Sequence, residues 1–175
     1  MALDVGTAIV EGQWWRHVPA GVGPARRPEP PGDNRWQHGH VVDALYLVDN
    51  EAGAWAEWYR HLAEAAMPPH VALPRDLWCY DVAPLEVADL SNASRLARVG
   101  LAIPQPGRRS WPPYQAVGEQ LWREGWRGLV APSAARPKSR VLVVYLKRGA
   151  VPAEVAPAAS KRVTEAPVPP TGMQT

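Results

Sequence analysis

The feature that most constrains this chain is Val141 to Leu146, six consecutive apolar residues between Arg140 and Lys147. A run this short cannot span a bilayer, which takes ~20 apolar residues. Because both alternating sets of side chains are apolar, it reads as a central strand buried on two faces. Ala44-Leu45-Tyr46-Leu47-Val48 is a second buried-strand signal. Around these two, strand and helix signals alternate. The chain is therefore expected to be α+β, with a mixed or antiparallel sheet at the core and a few helices.

Gln13 to Val18 reads as a short strand ended by Pro19, and Ala20 to Gly39, rich in Pro, Gly and Arg, as a long loop. Asp49-Asn50 supplies an N-cap for a helix from Glu51 to about Met67, with Ala52, Trp55, Tyr59, Leu62 and Ala66 as its apolar stripe and Pro68-Pro69 as its stop. Leu77 to Val82 and Val87 to Leu90 read as separate strands, with a small helix near Ser91 to Val99. A further helix spans about Trp111 to Glu124, with Ser110 as cap, prolines in its first turn and Gly125 at its end. Gly128 to Ala131 is another strand. Residues 150–175 are rich in Pro and Ala and hold no aromatic residue, so they offer too little apolar surface to offset ordering entropy. The expected organisation is an N-terminal extension over 1–12, one folded domain over 13–149 and a disordered tail over 150–175.

Composition excludes several classes. The single Cys79 rules out an internal disulfide or a multi-Cys zinc site. The 19 basic and 17 acidic residues are scattered rather than gathered on a phosphate-tracking face, which argues against direct nucleic-acid binding. Met1-Ala2-Leu3-Asp4 carries no readable secretory signal, so a cytoplasmic, membrane-free protein is expected. Rossmann, P-loop and nucleophile-elbow motifs are lacking.

Four places carry candidate chemistry, each with a plainer alternative. Arg35 in Asn34-Arg35-Trp36 is either a solvated loop arginine or a guanidinium fork for a phosphate or carboxylate, packed by the neighbouring indole. Glu57 is either a helix-surface ion pair with Arg60 or His61, or a catalytic carboxylate on the helix after a strand. Ser133 after Pro132 is either a turn residue or a group presented at the end of a core strand. His38-Gly39-His40 lacks further ligands at metal spacing, so no metal site is expected.

Taken together, these places resemble the RES domain family. The resemblance rests on Arg16-His17-Val18-Pro19, Asn34-Arg35-Trp36, Ala44 to Leu47 leading to Ala56-Glu57, Asp89-Leu90, Ala116 to Glu119, and Gly125 to Ala134. The arginine, glutamate and serine that name the family fall on Arg35, Glu57 and Ser133. Two positions depart from the family pattern: Ser139-Arg140 stands where an asparagine is usual, and Gly32-Asp33-Asn34 replaces a glycine pair.

The resemblance implies an ADP-ribosyltransferase-like fold and a bacterial type II toxin that binds and degrades NAD and is neutralised by a helix-turn-helix antitoxin. NAD would be a substrate, with no cofactor and no metal. Glu57 would face the oxocarbenium-like ribose as nicotinamide leaves, and Arg35 would hold the diphosphate beside Trp36. Tyr46 would stack on nicotinamide, and Ser133 would hydrogen-bond the ribose or amide. Water or phosphate remains open as acceptor, as does a homodimer. Two other functions stay in play: ADP-ribosyl transfer to a macromolecule, and a catalytically inert binding module.

Overall fold

Val141, Val143 and Tyr145 turn to one face of a sheet, while Leu142, Val144 and Leu146 turn to the other, and all six are buried. The computed structural model describes residues 1–175. Its elements run β1 (Gly6–Pro19), β2 (Ala44–Val48), α1 (Glu51–Glu64), β3 (Arg75–Asp89), α2 (Ala93–Arg98), α3 (Trp111–Arg123), β4 (Gly128–Pro132), β5 (Arg140–Tyr145) and β6 (Val155–Val163). The sheet order is β1-β2-β5-β4-β3-β6, and β1 also pairs with β3. Five strands thus close into a ring, with β6 outside it on β3. Only β3 and β4 pair in parallel.

The period-two alternation of the strands creates two cores. One face of β2, β4 and β5 packs with Trp55, Trp58 and Leu62 of α1 and Tyr114, Val117 and Leu121 of α3. The other face is enclosed by strands alone, with Val10 and Trp14 of β1 and Tyr80, Val82, Leu85 and Val87 of β3 closing over Leu45, Leu47, Leu142 and Val144. The ring is weakest at one seam. There β1 and β2 share a single pair, Trp15 with Val48.

Three expectations are corrected. Residues 6–12 are no extension: they continue β1, which pairs with β3 from Gly6 to Pro19. The two strands expected at 77–82 and 87–90 are one. Pro84 is tolerated because the register with β1 shifts there, between the parts of β3 that pair with β6 and with β4. The tail is not wholly disordered, since Val155–Val163 pairs antiparallel with Arg75 to Val82. Only Val155 of β6 is fully buried, so the strand is held by its backbone ladder rather than by apolar side chains. Composition does not register that source of order.

Candidate active site

The chain enters α1 through Asn50, whose extended backbone and side-chain oxygen cap the helix by accepting the Gly53 N–H at 2.7 Å. A Cβ on Gly53 would lie 2.4 Å from Val48 Cγ1 and 2.8 Å from Ser139 Oγ, so glycine lets the first turn sit directly on the end of β2. Glu57 follows one turn later, above the β1/β2 seam. The expected apolar stripe is only partly right. Trp55 and Leu62 are buried, but Ala66 is exposed, and Gly53, Ala54, Ala56, Trp58 and Arg60 are buried as well. Most of the helix circumference is covered because α1 packs on both β1 and β2, with His17 of β1 stacked on Trp55 at 5.7 Å.

Glu57 is held at both oxygens. Ser133 Oγ donates to Oε1 at 2.6 Å, while Arg60 Nε and Nη2 each donate to Oε2 at 3.0 Å. Arg60 Nη1 donates to Glu64 Oε1 at 2.5 Å. The ion pair expected between Glu57 and Arg60 exists, but not as a surface pair: Arg60 is 4% exposed. Burial opposes charge on Glu57. The Arg60 guanidinium and the Ser133 hydroxyl outweigh it, and His61 adds to them, so the carboxyl sits below its ordinary value and is ionised at neutral pH.

Ser133 follows β4 and is completely buried. Its hydroxyl donates to Glu57 and accepts the N–H groups of Ala135 at 3.1 Å and Arg136 at 3.0 Å. A hydroxyl has one donor and two acceptor positions, and all three are used within the chain. Its direct role is therefore to aim Glu57; contact with a ligand requires exchange of one of these bonds. Ser139 supports the same corner. Its carbonyl accepts the Ser133 N–H at 2.9 Å, and its hydroxyl joins Asn50 and Arg136.

Arg35 reaches the cleft from the long loop and is 6% exposed, which sets aside the solvated reading. Its Nη1 donates to Ser110 Oγ at 3.0 Å and its Nη2 to the Gln105 carbonyl at 2.6 Å, and the guanidinium lies 5.2 Å from the centre of the Tyr114 ring. Two of its five N–H groups are thus used. Trp36 is 2% exposed and its indole meets Tyr114 edge-on at 5.2 Å, so the ring belongs to the core and offers a ligand almost nothing. The Trp36 backbone N–H donates to the Tyr46 hydroxyl at 3.3 Å. Tyr46, half-buried at the middle of β2, lines the cleft, and burial raises its phenol above the ordinary range.

Arg35, Tyr46 and Glu57 share one cleft of about 250 Å³, with Ser133 behind Glu57 and its neighbours Pro132 and Ala134 in the wall. The charges around it do not cancel. Among the lining arginines, Arg27 is paired with Asp43 and Arg60 with Glu57 and Glu64, whereas Arg16 and Arg35 have no carboxylate within ion-pair reach. Two buried or half-buried guanidinium groups without acidic partners suit a ligand carrying two negative charges. Sequence reasoning gave no role to His17, which lines the cleft and accepts from Arg75 Nε at its Nδ1 (3.0 Å). Its only sequence signal is its place beside Arg16. No group of three or more His, Cys, Asp or Glu residues is placed to hold a metal ion.

The RES-domain family profile matches residues 13–166, a span from within β1 to beyond β6. The chain belongs to the RES-domain family. The match places β6 inside the RES domain. Among solved structures, the fold is similar to a chain of the M. tuberculosis MbcT–MbcA toxin–antitoxin complex, with a TM-score of 0.76 and 23% sequence identity over 91% of this chain and 87% of that one. This likeness agrees with the expected α+β fold, a mixed sheet with a few helices. No curated protein matches the sequence. No helix of this RES domain is long and apolar enough to cross a membrane.

Proposed function

We propose that this RES domain is a toxin that consumes NAD by breaking the bond between nicotinamide and ribose, with water or phosphate forming the new bond at the ribose C1, and that a helix-turn-helix antitoxin neutralises it. The observation that carries this reading is the pairing, in one cleft, of an ionised buried carboxylate with guanidinium groups that lack acidic partners. Departure of nicotinamide leaves positive charge on the ribose C1, and a fixed carboxylate such as Glu57 stabilises that charge as it develops. Arg35, with three free N–H groups, holds the diphosphate, and Tyr46 forms the wall against which the nicotinamide ring stacks. The toxin role draws further support from family membership and from the fold shared with a protein solved in a toxin–antitoxin complex.

The test is nicotinamide release by purified, antitoxin-free protein. Glu57→Gln preserves shape and removes the charge, so turnover is expected to fall at least ~100-fold, roughly 3 kcal/mol in the barrier. Intact NAD after hours with micromolar protein would return the domain to a binding role. Recovery of the ADP-ribose on protein rather than free in solution would identify a transferase.

A further inference from the structure

Arg60 lies one helical turn after Glu57 and departs from an ordinary i,i+3 surface pair in two respects. It is 4% exposed, and it directs two N–H groups, Nε and Nη2, at the same oxygen of Glu57, both at 3.0 Å. Its remaining terminal nitrogen, Nη1, is taken by Glu64 Oε1 at 2.5 Å, and Glu64 in turn accepts the Gly107 N–H at 3.3 Å. The guanidinium plane is thereby fixed from both ends. Burying so long a charged side chain is costly where an apolar residue would pack, which gives this arrangement a purpose beyond helix stability.

We propose that Arg60 is a positioning residue for the cleavage reaction: it immobilises Oε2 of Glu57, leaves Oε1 to Ser133, and supplies the counter-charge the buried carboxylate requires. The proposal rests on the reading of Glu57 as the carboxylate that faces the ribose. Arg60 itself need not touch NAD. The other groups facing Glu57 cannot replace it. Ser133, from the end of β4, is neutral and already bonded to Oε1. Arg35, from the long loop, acts only through space, its hydrogen bonds going to Gln105 and Ser110. His61 on α1 is held toward its neutral form by burial and by Arg60. Tyr46 on β2 is a neutral phenol that hydrogen-bonds the Trp36 amide. Only Arg60 contacts Glu57 as a permanent cation.

The experiment compares wild type, Arg60→Met and Arg60→Lys, each checked by thermal melt. It measures kcat and KM for NAD from about pH 3.5 to 9 and titrates the Glu57 carboxyl by carbon-13 NMR, assigned by its loss in Glu57→Gln. In Arg60→Met the carboxyl loses its cation while remaining buried. Its titration and the acidic limb of kcat/KM should both move up by a pH unit or more, so that the loss is greatest at the acid end of the range and recovers as pH rises past the shifted titration. Arg60→Lys keeps the charge but not the two-pronged contact. Its acidic limb should stay near the wild-type position, with KM unchanged and kcat reduced several-fold. A uniform loss at every pH in folded Arg60→Met, with the Glu57 titration unmoved, would overturn the proposal. Should Arg60→Met fail to fold, Arg60→Lys decides: wild-type kcat in that variant overturns it. If the wild type does not cleave NAD, the functional reading fails, and the Glu57 titration in these variants still judges the role of Arg60.

Discussion

At the scale of single residues, Arg35 separates binding from chemistry. Three of its N–H groups remain for a ligand, and a diphosphate is equally charged before and during cleavage. Loss of the fork should therefore raise KM for NAD at least ~10-fold while changing kcat less. Arg35→Lys should not restore KM, since a point-charge ammonium cannot reproduce the fork. Arg35→Ala should also lower stability by about 1–3 kcal/mol, because Ser110 and the Gln105 carbonyl lose a charged, buried partner. Unchanged KM in both variants, measured beside a melt, would remove Arg35 from the binding site. Arg35, Glu57 and Ser133 were legible as candidates through the resemblance to the RES family; their local settings alone, a loop end, a helix after a strand and a strand end, left the plainer reading open for each. The burial of Arg60 and the contact between His17 and Trp55 were not. Both depend on how α1 settles across two strands far apart in the chain, and residue spacing within the helix carries no record of that.

The elements show where local pattern suffices and where it fails. β2 and β5 were readable because fully apolar runs have few other uses, α1 because Asn50 caps its start, and α3 because prolines stand in its first turn; Ser110, expected as the α3 cap, makes no cap hydrogen bond and serves Arg35 instead. β6 was invisible because its order comes from backbone pairing on the edge of β3. A contact between elements offers the sharper test. Gly118 of α3 packs against the loop that carries Arg35: an added Cβ would lie 2.1 Å from the Trp36 carbonyl oxygen and 2.8 Å from its carbon. Helix propensity alone favours alanine there by about 1 kcal/mol. The obstructing atoms are backbone and cannot rotate away, so overpacking should prevail and Gly118→Ala should destabilise the fold by about 1–3 kcal/mol. Tyr145 donates to the Gly118 carbonyl at 2.9 Å, which ties the helix to β5 and limits its retreat. The loop is the part left to move, so KM for NAD should rise as well. A melt and steady-state kinetics of this one variant check both effects, and a stabilised Gly118→Ala would mean that the loop yields freely.

At the scale of the whole molecule, the cleft gives the fold a dependence on pH separate from that of catalysis. His17 is held well below its ordinary value of 6.5 by burial first, then by the charges of Arg75, His61 and Arg16, and it accepts a hydrogen bond from Arg75 that a protonated ring could not accept. His61 is lowered too, by burial and by Arg60. In the unfolded chain both rings take up a proton near pH 6.5, while in the folded state they resist it. The unfolded state therefore binds more protons as pH falls through that value, and stability declines. The slope approaches about 1.4 kcal/mol per pH unit for each ring. Carboxyls depressed in the folded state, such as Glu154 at about 2 beside Arg127, lose their contribution only below their ordinary value of 4.5. Between pH 7.5 and 5.5, then, the decline belongs to these histidines. Denaturant unfolding across that range should show it, and His17→Gln, which keeps an acceptor for Arg75 but cannot titrate, should flatten the decline by about one proton. Equal stability of the wild type at pH 7.5 and 5.5 would mean that His17 is hydrated or paired with an anion, and that the seam between β1 and β2 is more open than the packing of His17 on Trp55 allows.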